Sequence, residues 1–206
     1  PPSGNPRTHV LADDWKSLPP TQRISAALSW LRSNDFVYTL EPPLLTSSDP
    51  IDEFLFTSRQ GFCEHFASSF AYLMRAAGVP ARIVTGYQGG SWNKAGNYLI
   101  VRQADAHAWV EVWLDGQGWQ RIDPTAAVAP QRISQGLSAS VPQGDTLPLM
   151  LRSESSWLKT LRLNADVLVN GWNHWVIGYN RQRQLDLLGM LGIGELGSGR
   201  YVVWLL

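Results

Sequence analysis

Two alternating segments joined by a tight turn constrain the fold more than any other part of this sequence. AHAWVEVWL (106–114) alternates clearly, DGQG turns the chain, and WQRID (119–123) returns it to Pro124. Such alternation buries one face of a strand, and a proline cannot donate to a further ladder bond. The pattern predicts an antiparallel hairpin with one apolar face. If the loop is 115–117, Leu114 pairs with Gly118 and Trp109 lies opposite Asp123.

A helix is predicted before this hairpin, opening at Cys63. Apolar positions follow it at steps of three and four: Phe66, Phe70, Leu73, Met74 and Ala77. Gly78 suits a left-handed helix end. ARIVTGY (81–87) then predicts a strand, followed by a glycine-rich loop, QGGSWNKAGN, and a second strand, NYLIVRQ. A helix followed by an antiparallel meander predicts the α+β class.

Three further segments have weaker patterns. A helix is predicted after Pro20 with Thr21 as its N-cap, and residues 37–50 read as an extended or turning connection. Polar, glycine- and proline-rich residues predict a linker at 134–150. We expect the core to occupy 1–133, with an N-terminal helical lead-in, and a helical, Trp-rich extension to occupy 151–206.

An apolar seam marks that C-terminal extension. It comprises Leu158, Leu161, Ala165, Leu168, Trp172 and Trp175. The seam either docks on the domain or lies along a membrane surface. The final YVVWLL is either a short buried strand or the start of a membrane segment.

The charge balance and the cysteine count exclude several classes of protein. Lys+Arg and Asp+Glu are both 17, so no net field attracts nucleic acid. The single cysteine excludes an intramolecular disulfide and metal sites built on Cys-x-x-Cys pairs. Partners must therefore be selected by local sites.

Cys63 is the first candidate for chemistry. Unpaired N–H groups and the positive dipole end of a helix stabilise a thiolate, which is the reactive form of cysteine. A structural cysteine usually lies mid-helix on the apolar face, whereas Cys63 precedes that stripe. The alternative is a small hydrophobe packed in the core.

A nucleophilic thiol also needs a base and a group that orients the base. His9 lies in a Pro-rich terminus, His174 lies in the tail, and His65 is about 200° around the helix from Cys63. His107 remains, and the hairpin register makes it a same-face diagonal neighbour of Asp123. A register shift of one would separate the two. Taken alone, His107 could be a sheet-face histidine and Asp123 a turn residue.

Four blocks also match a known family. GFCEHFAS, LMRAAGVPARIVTGY, DAHAWVEVW and GWQRIDPT, in this order, resemble the transglutaminase-like core of the papain-like cysteine superfamily over about residues 20–133. The resemblance implies a catalytic cysteine at a helix N-terminus packed on an antiparallel sheet. It implies Cys63, His107 and Asp123 as the triad, with neither cofactor nor metal.

Three longer blocks narrow the resemblance. NDFVYTLEPP, DEFLFTSRQGFCEHFAS and DPTAAVAPQRI are similar to the external domain of bacterial multi-pass membrane proteins of the TgpA type. This resemblance implies a periplasmic domain of an inner-membrane protein, attached through segments outside or at the end of this sequence. It also favours the membrane interpretation of YVVWLL.

The expected reaction is thiol-dependent acyl transfer from a glutamine side chain of a protein or peptide to an amine such as lysine. One alternative is an amidase or peptidase that hydrolyses peptide or cell-wall amides with the same triad; another is a non-catalytic binding module. The backbone N–H of Cys63 is the expected first oxyanion donor.

The remaining candidate residues are supporting ones. Gln60 is a candidate second oxyanion donor, and Glu111 could contact the site from the His107 face of its strand. Trp92 and Tyr87 are candidate substrate-binding residues. Arg82 is expected to form a structural ion pair.

Overall fold

The computed structural model describes residues 4–134 and 163–172. The chain divides into one unit of residues 1–92 and 98–153 and another of 93–97 and 154–206. The helices are α1 (Pro6–Asp13), α2 (Pro20–Arg32), α3 (Pro50–Glu53), α4 (Cys63–Ala76), α5 (Thr125–Val128), α6 (Pro130–Ser134) and α7 (163–172), with a π-helical turn at Phe54–Ser58. The strands are β1 (Val37–Tyr38), β2 (Gln60–Gly61), β3 (Ala81–Tyr87), β4 (Ser91–Asn93), β5 (Tyr98–Ile100), β6 (Ala106–Leu114) and β7 (Gly118–Ile122).

Helix α4 is the centre of the first unit, and it begins at the predicted residue. Its apolar stripe is fully buried, with Phe66, Phe70, Leu73 and Met74 each at most 1% exposed. Burying a side chain of this kind contributes about 1.5–3 kcal/mol, so the stripe holds the helix and its first residue in place. Gly78 has φ +79°, which confirms the predicted left-handed end.

The main sheet is antiparallel with strand order β3–β6–β7. Leu114 pairs with Gly118 and Val110 with Ile122, which confirms the predicted hairpin register. Val110 and Val112 are fully buried on the face that packs on α4. Alternation therefore places His107 and Trp109 on the opposite face of β6.

The predicted meander is wrong in one element. NYLIVRQ forms only the short strand β5, which pairs with β4 in a separate two-stranded sheet. β3 instead pairs directly with β6 along its whole length, from Ala81↔Val112 to Tyr87↔Ala106. Because β6 saturates that edge of β3, no position remains between them for β5.

The predicted N-cap of α2 is also wrong. The helix begins at Pro20 with Pro19 at the N-cap, so Thr21 lies inside its first turn. Proline suits the first helical position because it has no N–H to be capped and its φ is already helical.

Helix α1 and the β1–β2 pair were not predicted, and they position the N-terminal part of the unit. In α1, the backbone N–H groups of Arg7 and Thr8 donate to the Asp52 carboxylate at 2.8 Å each. β1 and β2 pair in parallel, with Tyr38 opposite Gly61. This pairing places Tyr38 beside the residues that lead into Cys63.

Most of the predicted linker and extension lies outside the described residues, as does YVVWLL, and their boundaries stay predictions. Residues 163–172 are helical, and Leu168 and Trp172 of the seam are 76% and 64% exposed. Within residues 4–134 and 163–172, none of the helices combines the length and hydropathy that a transmembrane span requires.

Candidate active site

Cys63 is the first residue of α4 and is 8% exposed. Phe62 before it has extended backbone (φ −114°, ψ −176°), so the chain turns into the helix at the cysteine itself. His65 is used locally, because its Nδ1 accepts the Phe62 N–H at 3.4 Å. The helix start therefore presents the thiol at its tip, and His65 is not the partner of that thiol.

The partner of the thiol is His107. Its Nε2 lies 2.7 Å from Oδ2 of Asp123, and the two side chains are 0% and 12% exposed. A carboxylate can only accept, so Nε2 carries the proton. The other ring nitrogen, Nδ1, is buried, falls short of standard hydrogen-bond geometry to any described residue, and is left to interact with the Cys63 thiol.

The electrostatics of the pair favour a thiolate beside an imidazolium. Burial, the largest influence, raises the pKa of Cys63, but His107, the Ala108 N–H and the Arg132 charge outweigh it and leave the pKa lowered. For His107, burial lowers the pKa, but the hydrogen bond to Asp123 and the interaction with Cys63 leave it raised. Opposite shifts in acid and base are typical of reactive cysteine sites.

An aromatic and cationic stack supports the histidine from the outer face of the sheet. The Trp109 ring stacks on His107 at 6.3 Å between centroids. The Arg121 guanidinium lies 4.1 Å over that indole, donates to Gln88 at 2.8 Å, and has Nη2 3.9 Å from Oδ2 of Asp123. The stack restricts the positions that the imidazole and the carboxylate can take.

The structure brings Cys63, His107 and Asp123 together, but the supporting candidates lie elsewhere. Gln60 is exposed on β2. Glu111 accepts from Arg82, with Nη2 and Oε2 2.6 Å apart, so the expected ion pair of Arg82 forms with that carboxylate. Trp92 and Tyr87 are 54% and 52% exposed.

A groove of about 420 Å³ runs beside the start of α4, between this helix and strands β3 and β6. Its lining residues are Glu64, His65, Ser68, Ile83, Thr85 and Ala108. Glu64 follows Cys63 in the chain, and the backbone of Ala108 interacts with the thiol. The groove therefore lies next to Cys63, on the α4 face of the sheet.

Sequence reasoning missed two buried residues at this site, Tyr38 and Arg132. Arg132 is 1% exposed, with Nε 3.3 Å from the Tyr38 hydroxyl and Nη2 2.9 Å from the carbonyl oxygen of Ala106. Tyr38 is 4% exposed, and its hydroxyl interacts with the backbone N–H of Cys63. Both lie in blocks that resemble the TgpA type, but an arginine in a polar, Pro-rich stretch reads as a surface residue.

Comparison with known proteins assigns the fold to a family. The Transglutaminase-like superfamily matches residues 11–124, more than half of the chain. The chain belongs to the transglutaminase-like superfamily. The predicted α+β fold, with the cysteine helix on an antiparallel sheet, is confirmed by this match and by the strand pairing.

Several proteins of named activity or solved structure are similar to this chain in sequence. The chain is 47% identical over 191 residues to a protein-glutamine gamma-glutamyltransferase of Pseudomonas aeruginosa. The aligned region covers 88% of this chain and 28% of the relative. The crystal structure of the periplasmic domain of TgpA from Pseudomonas aeruginosa is 51% identical with a TM-score of 0.66, and covers 68% of this chain and 49% of that one. The same domain bound to ethylmercury is 52% identical with a TM-score of 0.63, and covers 66% and 49%. The chain thus spans between a quarter and a half of these transglutaminase-like relatives.

Proposed function

We propose that this chain transfers acyl groups through a thioester on Cys63, from the side-chain amide of a glutamine to a primary amine. The observation that supports this most is His107, which hydrogen-bonds Asp123 through Nε2 at 2.7 Å and leaves Nδ1 for the thiol. One ring can then serve as base and acid in turn, since its orientation is fixed by the carboxylate.

The proposed reaction has two halves. The Cys63 thiolate attacks the amide carbon, the carbon–sulfur bond forms, and the carbonyl electron pair moves onto oxygen. When that pair returns, the carbon–nitrogen bond breaks, and ammonia leaves with the proton of the His107 imidazolium. The amine then attacks the thioester, gives its proton to His107, and expels the thiolate.

The proposed substrates are a protein or peptide donor and a lysine or other primary amine. The Pseudomonas aeruginosa relative carries the name protein-glutamine gamma-glutamyltransferase, and this supports the donor class. The groove beside the thiol, with Ile83 45% exposed along it, could take an extended peptide flank. We also propose a periplasmic location in a bacterial inner-membrane protein, by similarity to the periplasmic domain of TgpA.

A direct test uses the purified chain, a blocked Gln-Gly dipeptide and a fluorescent primary amine, with products separated by liquid chromatography and mass spectrometry. We expect the amine adduct of the glutamine together with an equal amount of ammonia. Cys63→Ala should abolish both because it removes the nucleophile. Ethylmercury, which binds thiols, should inhibit reversibly, since Cys63 is the one cysteine of the chain.

Two histidine variants separate catalysis from general damage. His107→Ala should lose transfer, whereas His9→Gln, whose ring contacts Tyr72 at 3.2 Å away from the triad, should keep it. Release of ammonia without formation of the amine adduct would mean that the chain hydrolyses the glutamine amide and does not transfer the acyl group. Adduct formation by Cys63→Ala would overturn the thioester mechanism altogether.

A further inference from the structure

Arg132 is a buried cation that has no carboxylate partner within residues 4–134 and 163–172. It is 1% exposed, and among the described residues it forms no ion pair within 4 Å. Its Nη1 is buried and lacks a hydrogen-bond partner in that part of the chain. Burying an unpaired charge costs several kcal/mol unless a nearby negative charge compensates it. The Arg132 charge lowers the pKa of the Cys63 thiol, so the guanidinium stabilises the thiolate form.

The guanidinium is held by two elements of the site. Nη2 donates to the carbonyl oxygen of Ala106 at 2.9 Å, directly before His107, and Nε donates to the Tyr38 hydroxyl at 3.3 Å. Arg132 therefore ties the strand that carries the histidine to the strand that carries Tyr38.

The Tyr38 hydroxyl is fixed at the helix start. Its ring stacks on Phe66 of α4, with an interplanar angle of 8°, and its backbone pairs with Gly61, two residues before Cys63. The hydroxyl accepts Nε–H of Arg132 and interacts with the backbone N–H of Cys63. A hydroxyl has two acceptor positions and one donor. Because Nε–H of Arg132 occupies an acceptor position, the hydroxyl proton remains available to donate to another group.

We propose that the Tyr38 hydroxyl is the second hydrogen-bond donor of the oxyanion hole, beside the backbone N–H of Cys63, and that Arg132 positions and polarises it. The proposal rests on the acyl transfer proposed above. It assigns to Tyr38 the role that the sequence suggested for Gln60, which is exposed.

The step balances without moving a proton. As the sulfur–carbon bond forms, the carbonyl electron pair moves to oxygen, and that oxyanion accepts hydrogen bonds from the Cys63 N–H and the Tyr38 O–H. The backbone N–H of Cys63 then points to the oxyanion and no longer to the Tyr38 hydroxyl oxygen. Burial, opposed by Arg132, raises the pKa of Tyr38, so its proton stays in place as the donor.

Tyr38→Phe isolates the donor, because it removes one oxygen and keeps the ring that stacks on Phe66. Removing one oxyanion donor costs about 10²–10³ in rate, so we expect glutamine transfer and acylation by 4-nitrophenyl acetate to fall about 100-fold. Alkylation of Cys63 by iodoacetamide forms no tetrahedral oxyanion, so its rate should stay within about three-fold of wild type. Tyr72→Phe is the matched control for losing a hydroxyl elsewhere on α4, and it should leave all three rates unchanged.

The outcomes separate this proposal from the function on which it rests. A parallel loss of acylation and alkylation in Tyr38→Phe would assign the hydroxyl to the thiolate and overturn the proposal. Full acylation in Tyr38→Phe, with loss in Gln60→Ala, would return the role to Gln60. Acylation by 4-nitrophenyl acetate also passes through a tetrahedral oxyanion, so its rate tests the Tyr38 hydroxyl even if no glutamine donor is accepted. A failure of glutamine transfer alone would count against the proposed function.

Arg132 is tested by the pH profile of alkylation, which a purely structural residue would not shift. Among the described residues, the other titratable groups that interact with Cys63 are His107 and Tyr38, and Asp123 acts through the imidazole. We expect Arg132→Gln to move the alkylation midpoint to higher pH, because a cation that stabilises the thiolate is lost. Arg132→Lys should restore part of the shift. An unmoved midpoint in a folded Arg132→Gln protein would remove Arg132 from the proposal.

Discussion

Replacing Asp123 by asparagine is a severe test of the triad because both carboxylate oxygens are in use. Oδ2 accepts from Nε2 of His107 at 2.7 Å, and Oδ1 accepts the backbone N–H of Thr125 at 3.1 Å. An asparagine offers one acceptor and one donor group. If its oxygen stays on Thr125, its amide donates to Nε2, and the histidine proton moves to Nδ1, which can then no longer accept from the thiol.

The productive orientation of the asparagine is the costly one. With its oxygen on His107, its NH₂ group faces the Thr125 N–H, and two donors meet without an acceptor. Leaving a buried donor unsatisfied costs about 1–3 kcal/mol, which reduces the productive fraction roughly 5- to 150-fold. We therefore expect kcat/KM for glutamine transfer to fall by a factor within about that range from orientation alone, and further from the lost charge.

The assay compares kcat/KM of the Gln-Gly donor at fixed amine for wild type, Asp123→Asn and Asp123→Ala. Arg121→Gln is the control, because it keeps the carboxylate and removes a cation 3.9 Å away. That arginine is 48% exposed, so water screens it and its loss should cost at most about 1 kcal/mol, or roughly five-fold.

Retention of more than half of the wild-type kcat/KM by a folded Asp123→Asn protein would refute this reasoning. It would mean that the tautomer and orientation of His107 do not depend on Asp123. A loss in Arg121→Gln as large as that in Asp123→Asn would shift the explanation from hydrogen-bond geometry to the local field.

Three further measurements follow from the structure. Because folding lowers the pKa of Cys63, its contribution to the free energy of unfolding is present above the unfolded thiol pKa and is lost as pH falls through the folded one. Folding raises the pKa of His107, so its contribution to the free energy of unfolding is present below the unfolded histidine pKa and is lost as pH rises through the folded one. Denaturation measured across pH should therefore show that Cys63→Ser flattens the pH dependence caused by the thiol and that His107→Ala flattens the one caused by the imidazole. Gly86→Ala would place a Cβ 2.9 Å from Cη2 of Trp109, and chemical denaturation should show a loss of about 1–3 kcal/mol, whereas no loss would show that the indole moves freely. Trp92 is 54% exposed and does not line the groove beside α4, so Trp92→Ala should leave both KM for peptide donors and the alkylation rate unchanged, whereas a raised KM would place Trp92 in the substrate site.

The local elements were readable from the sequence where one physical rule decided them. The apolar stripe after Cys63 and the left-handed Gly78 fix a helix with the thiol at its start, because a stripe with 3.6 periodicity must face a core. The alternation in 106–114 and the short loop fix the hairpin register, since a shift of one residue would expose the buried valines. His107 and Asp123 become neighbours from that register alone.

What the sequence could not decide depends on contacts between distant segments. The pairing of β3 with β6 excludes β5 from the main sheet. No local sequence pattern determines which of two strands pairs with a given edge. Tyr38 and Arg132, 94 positions apart, meet only because β1 pairs with β2 and α6 folds back under β6. A single tyrosine or arginine has no periodicity, so its burial is set by the tertiary fold. The sequence determined where the sulfur and its histidine lie along the chain, and the tertiary structure decided which buried groups surround them.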